Sequence, residues 1–196
     1  MIKPFPIYLL RHGETEWNVA GRLQGHKDSP LTPRGRAQAA TQNRLLQGVV
    51  AAHPSIPLYH SPLGRARHTA EIAAQGIAIA RTAMDDLKEI SAGSWDGALL
   101  SEIERSNAPL FEEARNAFEL MFLSPDGDAE EAVLARAKRV LSALDAPAVL
   151  VTHGAFLCVL RGLLRGLEWD RMLDLTHEQG CIYVLEAGGE TIVRDA

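Results

Sequence analysis

The stretch APAVLVTHGAFLCVLRGLLRGL, Ala146 to Leu167, decides the architecture. Its first part is an apolar run with no polar alternation, the pattern of a strand covered on both faces in a parallel sheet. The run breaks at Thr152-His153-Gly154 and passes straight into AFLCVLRGLLRGL, which reads as a buried helix. Working outward, other short apolar runs behave alike. FPIYLL (Phe5–Leu10) is a strand bounded by prolines and a polar cluster. IPLYHS (Ile56–Ser61) is a second, followed by a helix from about Leu63 to Gln75, and IAIAR (Ile77–Arg81) is a third. LTPRGRAQAATQNRLLQGV reads as a helix that Thr32 caps, with Pro33 at its first position. Ala129 to Leu144 is an amphipathic helix with Val133, Ala137, Val140, Leu141 and Leu144 on one face. The tail CIYVLEAGGETIVRDA reads as two strands turning at Gly188-Gly189. Strands alternating with helices predict a layered α/β domain.

The 196 residues, 46% hydrophobic and 23% charged, suit one globular domain over 1–196. Residues 92–128 are the least regular and read as a helical crossover, or lid, over the site. A net charge of −5 and a pI near 5.8 argue against nucleic acid as a partner. The pairs Arg34, Arg36 and Arg65, Arg67 are too sparse to change that. The N-terminus lacks a signal-peptide pattern, and no window approaches the roughly 20 apolar residues that span a bilayer. Cys158 and Cys181 lie among apolar neighbours without CxxC spacing, as buried free thiols of a reducing compartment do. A cytoplasmic protein without a membrane association is the expectation.

In open α/β sheets, ligands bind beyond the carboxyl ends of the strands. Three strand exits carry similar chemistry: Arg11-His12-Gly13, the HSPLGRARHTA segment with Arg65 opening a helix, and Thr152-His153-Gly154. Converging, they make an electropositive pocket in an acidic protein. Arginine's planar fork matches phosphate oxygens, helix N-termini add N–H donors, and a glycine after each histidine permits close approach. The expected guest is a phosphoryl group.

The motifs LLRHGETEWN, GRLQGHKDSPLTPRGRAQA, SPLGRARHTAE, LKEISAGSWDG and VLVTHGAFL, in this order, together resemble the histidine phosphatase (phosphoglycerate mutase-like) superfamily, on its phosphatase branch. The resemblance implies a three-layer α/β/α sandwich with a mostly parallel central sheet. It also implies phosphomonoester hydrolysis of a small phosphorylated metabolite through a phosphohistidine, with no cofactor and no metal. By the same resemblance His12 is the nucleophile, whose imidazole splits one hard displacement into two easier ones. Arg11 and Arg65 hold the phosphoryl oxygens where transition-state charge spreads. His153, followed by Gly154, donates to the phosphoryl group, and Asn18 matches a phosphate-contacting amide, with a cap as its structural alternative. Gln24 and Gly25 match a segment lining the substrate side. Glu89 matches the acid/base carboxylate, which protonates the leaving alkoxide and later takes a proton from water.

Other residues are assigned structural roles: Glu14 supports the first motif, and Arg34, Arg36 and Arg67 are solvated. His26, His53 and His68 are surface or core residues. His60 is a candidate to shape the pocket, His177 one for its rim, and Trp17 and Trp95 are packing anchors. One departure from the family pattern is SPDGDAEE, where Asp128 or Glu130 takes the place of a pocket-lining hydroxyl. A phosphoglycerate mutase would use the same residues, but family mutases tend to be longer, with added segments that shield the phosphohistidine. A non-catalytic phospho-ligand module would need no proton donor such as Glu89. A metallohydrolase lacks an HExxH or comparable cluster, and the arginines would repel a metal.

Overall fold

The computed structural model describes residues 1–195. Strand β1 (Ile7–Arg11) leads through the short helix α1 (Glu16–Val19) into α2 (Pro33–Ala52). β2 (Leu58–His60), α3 (Gly64–Ala73) and β3 (Arg81–Ala83) follow. The irregular middle holds α4 (Leu100–Ser106), α5 (Ala108–Glu113) and α6 (Ala117–Phe122). Then come α7 (Glu130–Ser142), β4 (Ala148–Thr152), α8 (Gly154–Arg165), α9 (Trp169–Met172), β5 (Ile182–Glu186) and β6 (Gly189–Val193).

The six strands lie in the order β3-β2-β4-β1-β5-β6. β3, β2, β4 and β1 run parallel, whereas β5 and β6 form an antiparallel edge. β4 therefore sits inside the parallel part, and all five of its residues are buried, which explains its unbroken apolar run. Alternation along β1 sends Ile7 and Leu9 into a core shared with α7 and α8, and Tyr8 and Leu10 into one shared with α2 and α3. The sheet is thus covered on both faces, as the three-layer expectation required. In register, Arg11 pairs with Thr152 and His60 with Val151, so the three strands end at one level. That alignment places the expected exits side by side.

Two element boundaries differ from the sequence reading. The third strand forms at Arg81–Ala83, not Ile77–Arg81. Ile77 and Ile79 instead pack as irregular chain against the second core, and pairing with Leu58–His60 fixes the strand after them. The terminal hairpin turns at Ala187-Gly188, both at positive φ (48° and 83°), while Gly189 already belongs to β6. Two consecutive positive φ values suit the tight connection of twisted antiparallel strands.

Candidate active site

Arg11 and His12 leave β1 on a rigidly held backbone. The His12 amide donates to Thr152 O at 2.9 Å, Gln179 Nε2 donates to His12 O at 3.0 Å, and Gln42 Nε2 donates to Arg11 O at 3.0 Å. Gly13 N–H donates to Thr69 Oγ1 at 3.0 Å, tying the exit to α3. His12 is buried, and its Nδ1 lies 2.8 Å from Gly13 O. A carbonyl accepts only, so Nδ1 carries the proton and Nε2 presents its lone pair. Burial, then the Arg65 and Arg11 charges, hold the His12 pKa well below that of ordinary histidine, so the ring is neutral.

Arg65 reaches Nε2 of His12 through its own Nε at 3.3 Å. Its other nitrogens are anchored: Nη1 donates to Lys27 O (2.7 Å) and Asp28 Oδ1 (2.9 Å), and Nη2 to Gly25 O (2.8 Å). Arg11 Nη1 donates to His177 O at 2.7 Å, while its buried Nε has no partner. His153, wholly buried at the exit of β4, has its ring centroid 5.2 Å from that of His12. Burial and the neighbouring Arg65, His12 and Arg11 lower its pKa well below the ordinary value too.

Glu89 is buried, and both of its carboxylate oxygens accept backbone N–H bonds. Oε1 takes them from Ile90 and Phe156 at 3.0 Å each, and Oε2 from Ala155 at 3.3 Å. Ala155 and Phe156 open α8, so the carboxylate occupies that helix N-terminus. Likewise Asp28 accepts from Gly64 and Arg65 N–H at 2.6 and 3.2 Å, at the start of α3. Both helix N-termini expected to serve a phosphoryl group are therefore already satisfied by carboxylates. The side chains, not these helix ends, are the donors left for an anion.

The glycine expectation also changes. A Cβ on Gly13 would lie 2.2 Å from Gly35 O, and one on Gly154 would lie 2.7 Å from Phe118 Cζ and 3.3 Å from Arg11 Cζ. These glycines make room for neighbouring protein groups, and Gly154 is absent from the pocket lining.

The cavity, of about 200 Å³, is lined by Arg11, His12, Asn18, Gln24, Gly25, Arg65 and Glu89 on its polar side. Gly21, Arg22, Leu23, Leu100, Ala117, Phe118, Met121 and His177 complete the wall. The expected residues Arg11, His12, Arg65 and Glu89 thus come together, while His153 packs against the His12 ring and does not itself line the cavity. Asn18 takes the cap role, its Oδ1 accepting the Thr15 amide at 3.0 Å at the start of α1, and the residue also lines the cavity. Gln24 lies within reach of Thr15 Oγ1 at 3.1 Å. His177 stands at the rim, edge-on to Phe118 at 4.5 Å, and burial with nearby Arg11 lowers its pKa to about 4.

Several structural assignments come out as read. Glu14 accepts from Thr32 and Arg34, Arg67 is exposed beside Glu71, and Trp95 is buried in the core. Others do not. His60 is absent from the cavity lining, its Nδ1 bonding Ser61 O at 2.9 Å instead. Asp128 and Glu130 do not line the cavity either; Asp128 accepts from the Ser91 amide and pairs with Arg136 at 3.6 Å. His26 is exposed, as expected, and its Nε2 lies 2.9 Å from Glu89 O.

Three supporting residues escaped the sequence reading. Asp28 anchors Arg65. Arg136, from α7, donates to the carbonyls of Asp86, Lys88 and Glu89 while stacked 4.1 Å over the Phe156 ring, fixing the segment that carries Glu89. Gln42, from α2, holds Arg11 O. A charged residue on the buried side of an amphipathic helix is the signal that could have exposed Arg136.

The profile of the histidine phosphatase superfamily (branch 1) matches residues 7–194. The chain belongs to that superfamily. The family, the α/β fold and the phosphomonoester-hydrolase class expected from the motifs are thereby borne out. An adenosylcobalamin/α-ribazole phosphatase of Salmonella typhimurium is 32% identical over 184 residues, covering 89% of this chain and 87% of that protein. A protein named "Probable phosphoglycerate mutase GpmB" from Proteus mirabilis is 34% identical, covering 86% of this chain and 75% of its own length. Among solved structures, Bacillus stearothermophilus YhfR superposes with a TM-score of 0.81 at 30% identity, covering 96% of this chain and 94% of its own. The α-ribazole phosphatase of Shigella flexneri also reaches 0.81, at 25% identity, covering 98% of this chain and 95% of its own.

Proposed function

We propose that this histidine phosphatase hydrolyses phosphomonoesters without a metal, passing the phosphoryl group to Nε2 of His12 and then to water. The observation that carries the reading is the state of His12. It is neutral, its proton is on Nδ1 against Gly13 O, and its lone pair stands beside Arg65 at the cavity. In the first step the Nε2 lone pair forms the N–P bond while the P–O bond to the alcohol breaks, and protonated Glu89 supplies the proton that the alkoxide needs. In the second, Glu89 as carboxylate takes a proton from water, whose oxygen displaces His12 from phosphorus. Arg11, Arg65, Asn18 and His153 hold the charge spread over the phosphoryl oxygens. The two guanidiniums beside the nucleophile disfavour a cation there, and among the described residues no three His, Cys, Asp or Glu side chains form a metal cluster.

The leaving-group side supports an alcohol with an apolar or aromatic face. Leu100, Ala117, Phe118 and Met121 line it, and Leu100 and Ala117 also line an adjoining cavity of about 310 Å³ with Phe111, Ala114 and Leu120, whose polar side is Arg115 and Asn116. Arg22, the further cation at the wall, is committed to Gly97 O at 2.7 Å and stacks over Trp17. A small phosphorylated metabolite, not nucleic acid, fits this enclosure. The α-ribazole phosphatase names among its relatives accord with hydrolysis. The two free buried thiols support a cytoplasmic location, and among the described residues no helix is long and apolar enough to cross a membrane.

Phosphate release from aryl and alkyl monoesters in the presence of chelator tests the reading. Turnover should favour the aryl esters and fall at least about a thousandfold in His12→Ala. Isomerisation of 3-phosphoglycerate without net phosphate release would instead select the mutase reading, which the identity to the GpmB protein motivates.

A further inference from the structure

A neutral imidazole has one N–H and one lone pair, so a histidine that must donate to a phosphoryl group works in only one of its two tautomers. What selects the tautomer is the partner of the opposite nitrogen. For His153 that partner is Ser61. Ser61 Oγ lies 2.7 Å from His153 Nε2, both residues are fully buried, and His153 Nδ1 has no partner.

The count of unpaired groups favours one direction. Ser61 Oγ already accepts the Leu63 amide at 3.2 Å, and its hydroxyl proton has no acceptor in reach besides Nε2. Donation from Nε2 would leave both the hydroxyl proton and the Nδ1 lone pair buried and unpaired, whereas donation from the serine leaves only the Nδ1 N–H. Ser61 therefore donates to Nε2. Its backbone is pinned on both sides, the amide donating to Val151 O at 3.0 Å and the carbonyl accepting from His60 Nδ1 at 2.9 Å. The hydroxyl thus sits at the C-terminal end of β4, next to the histidine it addresses.

We propose that Ser61 is a positioning residue that holds His153 in its Nδ1–H tautomer, leaving the ring's one N–H free for a phosphoryl oxygen held by Arg11, Arg65 and His12. The opposite tautomer would present a lone pair to that oxygen and repel it. The histidine that stabilises the transition state is therefore set by a residue that touches neither substrate nor nucleophile. Its catalytic consequence rests on the phosphoryl-transfer reading above, whereas the tautomer is a property of the free protein.

The test is a long-range 1H–15N correlation spectrum of the histidine-labelled protein at pH 7.5, with the His153 signals assigned by their loss in His153→Gln. The wild type should show a pyrrole-type Nδ1 and a pyridine-type Nε2 for His153. Ser61→Ala should lose that pattern and lower kcat on an aryl phosphate by about 10- to 100-fold, with a smaller change in KM. Ser61→Thr keeps the hydroxyl and should keep the pattern, separating the role of the hydroxyl from packing. A protonated Nε2 in the wild type, or an unchanged kcat in Ser61→Ala, overturns the proposal. If the wild type turns over no monoester, the phosphatase reading alone fails. Titration with inorganic phosphate then decides: weaker binding in Ser61→Ala supports the tautomer role, and equal binding overturns it.

Discussion

At the residue scale, the site consists of a few reactive side chains held by others that never meet substrate. Arg65 shows the division. Its Nη1 rests on Asp28, whose carboxylate also takes the two amide protons at the start of α3. Asp28→Asn keeps the shape but removes the charge that fixes the guanidinium. A charge-assisted bond is worth about 1.5–3 kcal/mol, and partial exposure of Asp28 puts the loss at the lower end, so inhibition by inorganic phosphate should weaken about tenfold. Isothermal titration of wild type and variant with phosphate checks this, and equal affinity would remove Asp28 from the site. Arg11, His12 and His153 were legible because abrupt polar residues at the ends of apolar runs stand out, Arg65 because it opens the helix after a strand exit, and Glu89 only through the motif that carries it. Asp28 and Arg136 were not, since a carboxylate in a loop and an arginine on a helix are ordinary until the fold brings them to an active group.

At the element scale, the packing of α2 against the β1 exit depends on a reciprocal glycine contact. A Cβ on Gly13 would meet Gly35 O at 2.2 Å, and one on Gly35 would meet Glu14 O at 2.0 Å. Both obstacles are backbone atoms, which cannot rotate away. Gly13→Ala and Gly35→Ala should each destabilise the fold by about 1–3 kcal/mol in urea unfolding. Gly48, also in α2, has open space around its would-be Cβ, and Gly48→Ala should instead stabilise by about 0.5–1 kcal/mol. A neutral outcome at Gly13 would mean that α2 shifts without penalty. The elements whose period matches their burial were readable: β4, buried on both faces, and α7, whose inward face is the expected Val133, Ala137, Val140 and Leu141. β3 was not, because all three of its residues are exposed and pairing with β2 alone defines it. The turn at Ala187-Gly188 was offset by one residue because Gly188-Gly189 is the stronger local signal, whereas strand register puts the positive φ on Ala187.

At the scale of the whole molecule, the site concentrates three histidines whose basicity the fold suppresses: His12 and His153 well below the ordinary value, and His177 to about 4. Burial is the largest cause for all three, followed by the arginines that the site keeps for its ligand. In the unfolded chain these rings titrate near 6.5, so between that pH and their folded values the unfolded state binds more protons. Stability should therefore be constant with respect to these groups above about pH 7 and fall as the pH drops below 6.5. The slope approaches about 1.4 kcal/mol per pH unit for each histidine that takes up a full proton on unfolding. Catalysis should behave differently, because His12 stays unprotonated while folded, so no acid limb near 6.5 should appear in kcat/KM for an aryl phosphate. Urea unfolding from pH 8 to pH 5, beside kinetics on the same samples, measures both. A stability loss that begins near 6.5 while kcat/KM keeps its value supports neutral, suppressed histidines. A kinetic limb centred at 6.5 would mean that His12 titrates as a solvent-exposed ring does, and the charge balance inferred for the site would be wrong.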